Sequence, residues 1–351
     1  MREPRVVVIT GGSAGVGRAA ARAFAASGYQ VAVLARGEAR VRAACAELSA
    51  GGTHALGIIT DVADAQQVER AAERVARELG PIDVWVNNAA TTVFAPVVDV
   101  TAAEFEQVTR VTYLGTVHGT LAALRHMRPR NRGCIVQVGS ALAYRSIPLQ
   151  SAYCASKAAI RGFTDSLRSE LIREGSAIDI SMVHLSAFNT PQFDWARNRL
   201  GRQVQPVPPI FQPEIAADAI LNAAEHPRRE LWVGWPAVKA ILSSRVVPGL
   251  GDRLAASVAW DGQQTQEPSV AGRPDSLFEP VAGAYAAHGR FDARTRGRSL
   301  QWELSKHRIA AASLTFAVLA AGGLAAALLS TSARRPRAGA AGPDDGRQRL
   351  R

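Results

Sequence analysis

From residue 5 to about residue 185 the chain alternates short β-branched runs with longer alanine-rich stretches of helical periodicity. The runs lie at 6–9, 31–34, 56–59, 82–86, 134–138 and 178–183, and the helical stretches at 17–27, 38–48, 65–79 and 153–174. A strand that is nearly continuous in valine and isoleucine has both faces buried, and repeated strand–helix units bury it in a parallel sheet covered on both sides. The pattern therefore predicts a doubly wound α/β fold of Rossmann type. A helix near 213–225 and a seventh strand at 230–233 complete the sheet.

The first strand runs straight into Thr10-Gly11-Gly12-Ser13-Ala14-Gly15-Val16-Gly17, which opens the first helix. Small residues in that position let the backbone turn tightly and approach a pyrophosphate, which the helix amides and dipole then hold. The end of the second strand reads Val33-Leu34-Ala35-Arg36-Gly37, with no carboxylate for a ribose 2′-hydroxyl. Arg36 offers instead a charge-assisted bond to a 2′-phosphate, so NADP(H) is the expected cofactor.

Further along, Tyr153-Cys154-Ala155-Ser156-Lys157 places a tyrosine and a lysine four residues apart, on one face of a helix. An ammonium beside a phenol favours the phenolate, which suits acid–base work near neutral pH. Ser140 lies thirteen residues upstream, just past the fifth strand.

The spacing of the glycine turn, Asp61-Val62 after strand three, Asn87-Asn88-Ala89-Ala90 after strand four, Ser140 and the Tyr153–Lys157 pair together resemble the short-chain dehydrogenase/reductase family over residues 4–235. The resemblance implies a hydride transfer between NADP(H) and a carbonyl or alcohol. It assigns Ser140, Tyr153 and Lys157 to catalysis. It assigns Gly11, Ser13, Gly15, Val16, Gly17, Arg36, Asp61, Val62, Asn88, Tyr153, Lys157 and Thr190 to the cofactor. It also implies a small-molecule substrate and a homo-oligomer.

Two departures stand out. Thr112, in Val111-Thr112-Tyr113-Leu114-Gly115, replaces the asparagine with which the family holds a proton-relaying water; threonine is shorter and presents different donors. After strand six, Leu185-Ser186-Ala187-Phe188-Asn189-Thr190-Pro191 keeps the threonine but lacks the usual Pro-Gly before it. The following segment, 192–212, is the expected substrate lid, with Phe193, Trp195, Ile210 and Phe211 as candidates to line an apolar pocket.

The organisation expected is a catalytic domain at 1–245, an extended Pro/Gly/Arg-rich arm or linker at 246–305, a candidate transmembrane helix at 306–333 and a basic disordered tail at 334–351. Residues 309–329 are 21 consecutive residues without a charge, flanked by Lys306, His307 and Arg308 and by Arg334, Arg335 and Arg337. As a helix they would span about 31 Å, close to a bilayer's hydrocarbon thickness. An NADP(H) domain belongs in the cytoplasm, and no signal peptide fits before the first strand, so a C-terminal membrane anchor is expected.

The net charge of +11 includes +4 from the tail, which holds six arginines against two aspartates. No nucleic-acid-binding spacing accompanies it, so a nucleic-acid partner is not expected. Cys45, Cys134 and Cys154 are scattered, and His118 and His184 have no ligands at metal spacing, so neither a disulfide framework nor a metal is expected. The second reading is a catalytically weak NADP-binding sensor or scaffold at the membrane, given Thr112. A sugar-nucleotide epimerase or dehydratase shares Tyr-x-x-x-Lys but would need a larger C-terminal domain than 191–245 supplies.

Overall fold

Val6–Thr10, the first strand (β1), has all five residues buried, as its valine run demands. A computed structural model describes residues 4–270, 272–283 and 285–308. After β1 come helix α1 (Gly15–Ala26), β2 (Gln30–Ala35), α2 (Glu38–Ala50), β3 (Ala55–Ile59), α3 (Ala65–Glu78) and β4 (Ile82–Asn87). Then follow α4 (Ala102–Thr109), α5 (Gly115–Met127), β5 (Gly133–Ser140), α6 (Ser151–Arg173), β6 (Ile178–Leu185), α7 (Pro213–Glu225) and β7 (Glu230–Val233). The seven strands form one parallel sheet in the order β7-β6-β5-β4-β1-β2-β3. The order reverses between β1 and β4, and such a switch point leaves a crevice beyond the strand C-termini.

Successive strand residues face opposite sides of the sheet. Val7, Ile9, Val31 and Val33 meet the alanines of α1 and α7 on one side. Val6, Val8, Ala32 and Leu34 meet Val68, Val75 and Leu167 on the other. Helix starts differ in a way that bears on function. The Asp64 carboxylate caps α3, accepting from the amides of Gln66 and Gln67 at 2.9 and 3.1 Å. α1 has no side-chain cap at Ala14, which leaves the Val16 and Gly17 amides of its first turn available in the crevice.

The region after residue 245 differs from the extended arm the sequence suggests. Residues 1–303 cluster as one compact unit. Leu277, Ala287, Phe291 and Trp302 are buried, and the Trp302 indole N–H donates to Asp218 at 2.6 Å. Gln264–Pro268 pairs antiparallel with Arg202–Val204, and Thr295–Arg296 lies parallel to Ile210–Phe211, which also pairs with Ala187–Phe188. The low density of apolar residues hid this docking, because backbone pairing and a few anchors hold it. Two helices, α8 (Trp235–Val246) and α9 (Pro248–Leu254), lead into this region. The uncharged stretch 309–329 lies outside the described residues. Among the described residues no helix is long and apolar enough to cross a membrane.

Candidate active site

A cleft of about 440 Å³ opens at the switch point and gathers residues from the ends of β1, β2, β4, β5 and β6. Of the residues expected at the cofactor, all but Gly17 line it. Gly17 works from beneath: a Cβ there would sit 2.3 Å from the Gly11 carbonyl oxygen and 2.5 Å from Asn88 Nδ2. Gly11 itself has φ +67° and lies against Ala89, so the turn tolerates a side chain at neither position. Thr10 Oγ1 accepts from the amides of Asn88 and Ala89 at 3.0 and 3.1 Å. The Asn88 side-chain amide donates back to the carbonyls of Thr10 and Gly11. Asn88 thus shapes the turn rather than offering its amide to a ligand.

At the end of β2, Arg36 lines the cleft, and its guanidinium donates to the carbonyls of Ser276 and Phe278, both at 2.6 Å. In the first turn of α2 stands a second cation that no motif in the sequence marks. Arg40 also lines the cleft, lies 5.0 Å from the Trp195 ring centroid and donates to the Val281 carbonyl. Its Nε is buried with no hydrogen-bond partner. No spacing in the sequence marks it either, because Arg36 lies in the turn before the helix (α2) that carries Arg40.

Ser140, Tyr153 and Lys157, the trio expected to be catalytic, all line the cleft. Ser140 ends β5, and Tyr153 and Lys157 occupy the first two turns of α6. Lys157 is 3% exposed and donates from Nζ to the Val138 carbonyl at 2.7 Å. Burial lowers its pKa to about 8. Tyr153 behaves otherwise than the sequence suggests. Burial raises its phenol above the ordinary range, opposed by a hydrogen bond with the Ser140 side chain. The Lys157 ammonium sits 5.5 Å from the Tyr153 ring centroid and faces the Val138 carbonyl. The neutral phenol, a proton donor, is therefore the favoured form.

Thr112 takes no part in lining the cleft. Its hydroxyl donates to the Thr91 carbonyl and accepts from the Thr91 amide, both at 3.1 Å, within a single π-helical turn, Arg110–Leu114. Both hydroxyl functions are therefore engaged with the neighbouring backbone, and the Thr112 carbonyl accepts from Thr116 at 2.9 Å.

Beyond Tyr153 the cleft continues between Leu142, Ile147, Phe193, Val207, Ala237 and Ala240. Phe193 and Trp195 line it as expected, whereas Ile210 and Phe211 are buried in the short sheet beside the cleft. They are packing residues, drawn inward by pairing with Ala187–Phe188. Two glutamines not foreseen, Gln150 and Gln263, line the same end, joined by a 2.7 Å bond.

Residues 5–199 match the sequence pattern of the short chain dehydrogenases. The chain belongs to that family. It is 32% identical over 318 residues to the uncharacterized oxidoreductase YxnA of Bacillus subtilis, covering 90% of this chain and 89% of that protein. A likeness of that extent necessarily runs through the region after residue 245. It is 35% identical over 257 residues to the probable oxidoreductase EphD of Mycobacterium tuberculosis, covering 69% of this chain but 43% of that protein. Among solved structures it resembles an alcohol dehydrogenase from the archaeon Thermococcus sibiricus complexed with 5-hydroxy-NADP. There the TM-score is 0.57 and the identity 26%, over 66% of this chain and 96% of that one. A family of this fold implies a nicotinamide cofactor, and the cleft fits one: an uncapped helix start, a turn closed to side chains, and cations beyond β2.

Proposed function

We propose that this oxidoreductase transfers a hydride between NADP(H) and a carbonyl or alcohol group of an apolar small molecule. The observation that carries this reading is the convergence of Ser140, Tyr153 and Lys157 on the cleft that also holds the Thr10–Gly17 turn. Bound nicotinamide supplies the hydride. Ser140 and Tyr153 donate hydrogen bonds to the substrate oxygen, where negative charge develops as the carbonyl is reduced. Tyr153 then gives its proton to that oxygen, and in the oxidative direction takes one back. Lys157, anchored on Val138, presents its positive charge beside the cofactor ribose.

Preference for the 2′-phosphorylated nucleotide is supported by two arginines, Arg36 and Arg40, where a carboxylate would select NAD. The wall of Leu142, Ile147, Phe193 and Val207 supports an apolar substrate. A panel of carbonyls and alcohols, assayed with NADPH and NADH, tests both points. Arg36→Ala combined with Arg40→Ala is expected to weaken NADPH far more than NADH; an unchanged ratio rejects the phosphate assignment.

Membrane attachment through 309–329 belongs to the same reading. It is supported by the uncharged stretch itself and by an exposed apolar row at Leu242, Val246, Leu250, Leu254 and Val258, repeating every fourth residue near the pocket wall at Ala237 and Ala240. With the anchor in the bilayer, the catalytic unit would face the cytoplasm, where NADP(H) is available.

A further inference from the structure

The region after residue 245 does more than cover the sheet. Two of its stretches, 273–283 and 285–291, touch the nucleotide half of the cleft and the substrate loop alike. At the end of β2, the carbonyls of Ser276, Phe278 and Val281 accept from Arg36 and Arg40. At the start of α1, the Gly15 amide donates to the Ala286 carbonyl at 2.9 Å. That amide belongs to the uncapped first turn where the cofactor's pyrophosphate would be held, leaving Val16 and Gly17 as the remaining first-turn donors. At the end of β6, Gly289 lies against the backbone of Thr190, and Asn189 Oδ1 accepts from the Phe291 amide at 3.1 Å. Ser276 and Pro280 form part of the cleft wall.

The same stretches grip the substrate loop. The Ser276 amide donates to the Trp195 carbonyl at 2.8 Å, and Tyr285 stacks edge-on against Trp195 with ring centroids 4.7 Å apart. Arg290 pairs with Asp194 at 2.9 Å and donates to the Val204 carbonyl at 3.0 Å. Arg273 donates to the carbonyls of Phe193 and Ala196.

From these contacts we infer that 273–283 and 285–291 are a clasp that completes the nucleotide site and locks it to the substrate loop, so that the nucleotide leaves only when the clasp lifts. The inference rests on the nicotinamide reading above, which the clasp deepens. Its anchors coincide with the groups assigned to the two phosphate-bearing parts of the cofactor. Arg36 and Arg40 bind clasp carbonyls with some of their N–H groups and keep others for a 2′-phosphate, since a guanidinium carries five. Nucleotide and clasp thus stabilise each other through the same side chains, and loosening one weakens the other. The substrate loop, held by Tyr285 and Arg290, is ordered by the same event, which couples nucleotide binding to formation of the substrate pocket.

Two kinds of variant test this in the full chain. Tyr285→Ala combined with Arg290→Ala removes grips on the substrate loop without touching a residue that lines the cleft. Gly289→Ala wedges the clasp from below, because the new Cβ would lie 2.5 Å from the Thr190 carbonyl oxygen. Release of NADPH is followed by stopped-flow displacement, and amide exchange over both stretches is measured with and without NADPH. The clasp predicts tenfold or faster release in both variants, and NADPH-dependent protection of both stretches in the wild type. Release within twofold of the wild type in both variants, with native circular dichroism retained, overturns the clasp while leaving the enzyme assignment intact. Exchange in the wild type that is indifferent to NADPH does the same. Failure of the wild type to bind either NADPH or NADH overturns both.

Discussion

Lys157, proposed above as part of the catalytic trio, is held in the fold at a cost to stability. Its ammonium is buried, and its pKa of about 8 lies below the ordinary 10.5. Burial therefore disfavours the charged form, and folding carries a penalty that is full below about pH 8 and vanishes as pH rises past 10.5. Lys157→Met removes that penalty but leaves the Val138 carbonyl without its donor, so the net gain at pH 7 is expected to be about 1 kcal/mol. Chemical denaturation at pH 7 and pH 10.5 checks this: the variant should be more stable at pH 7, less so at 10.5, and inactive at both. Tyr153→Phe keeps the ring and loses the proton donor. Turnover is expected to fall roughly 10²- to 10⁴-fold while NADPH affinity holds, measured by steady-state kinetics and fluorescence titration. Because burial keeps Tyr153 protonated, carbonyl reduction is expected to persist from acid to neutral pH, whereas alcohol oxidation should climb as pH rises. A reductive rate that increases with pH would contradict a phenol as the donor.

At the scale of elements, α4 ties the substrate loop to the body of the domain. Thr101 and Glu104 form a reciprocal capping box at its start. The Glu104 carboxylate, 1% exposed, also receives Arg197 at 3.0 Å and Arg199 at 2.7 Å from the substrate loop. Although burial opposes ionisation, the bonds from Arg199, Thr101 and Arg197 hold its pKa down to about 2. A carboxylate whose folded pKa is depressed contributes stability above its unfolded pKa and loses it as pH falls through the folded value. Glu104→Gln is therefore expected to cost about 2 kcal/mol at pH 7, a deficit that disappears between about pH 4.5 and pH 2. Thermal melts across that range measure it, and an accompanying rise in KM would report the loosened loop. Strand signals were legible in the sequence for the elements of the sheet, whereas α4 and its capping box came only with the structure. Ile210 and Phe211 were not placed correctly, because an apolar pair in a lid and an apolar pair in a two-residue strand read identically until the partner strand is known.

Among the described residues, the parallel sheet has a cleft closed by chain from far along the sequence. Leu277, Ala287, Phe291 and Trp302 are buried, so ending the chain at residue 245 would expose the faces they cover. Such a truncation is expected to yield aggregated or unfolded protein. Ending it at 308 should preserve the circular dichroism spectrum and activity while abolishing any pelleting with membranes. Sedimentation of the two chains with and without detergent, beside the full one, distinguishes these outcomes. Pelleting by the 308-residue chain would remove the anchor from 309–329.

Local order along the chain sufficed for the sheet, the Thr10–Gly17 turn, Ser140 and the Tyr153–Lys157 pair. Hydrophobic periodicity, glycine spacing and helical spacing act within a few residues, so they are written where they operate. The protonation of Tyr153, the engagement of Thr112 with Thr91, the role of Arg40 and the docking of 246–303 came only from the tertiary structure. Each depends on burial or on a partner distant in the chain: Arg36 and Phe278 are 242 residues apart. The pair first visible as Tyr-x-x-x-Lys thus has its residues set by helical repeat and its chemistry set by desolvation, which no spacing encodes.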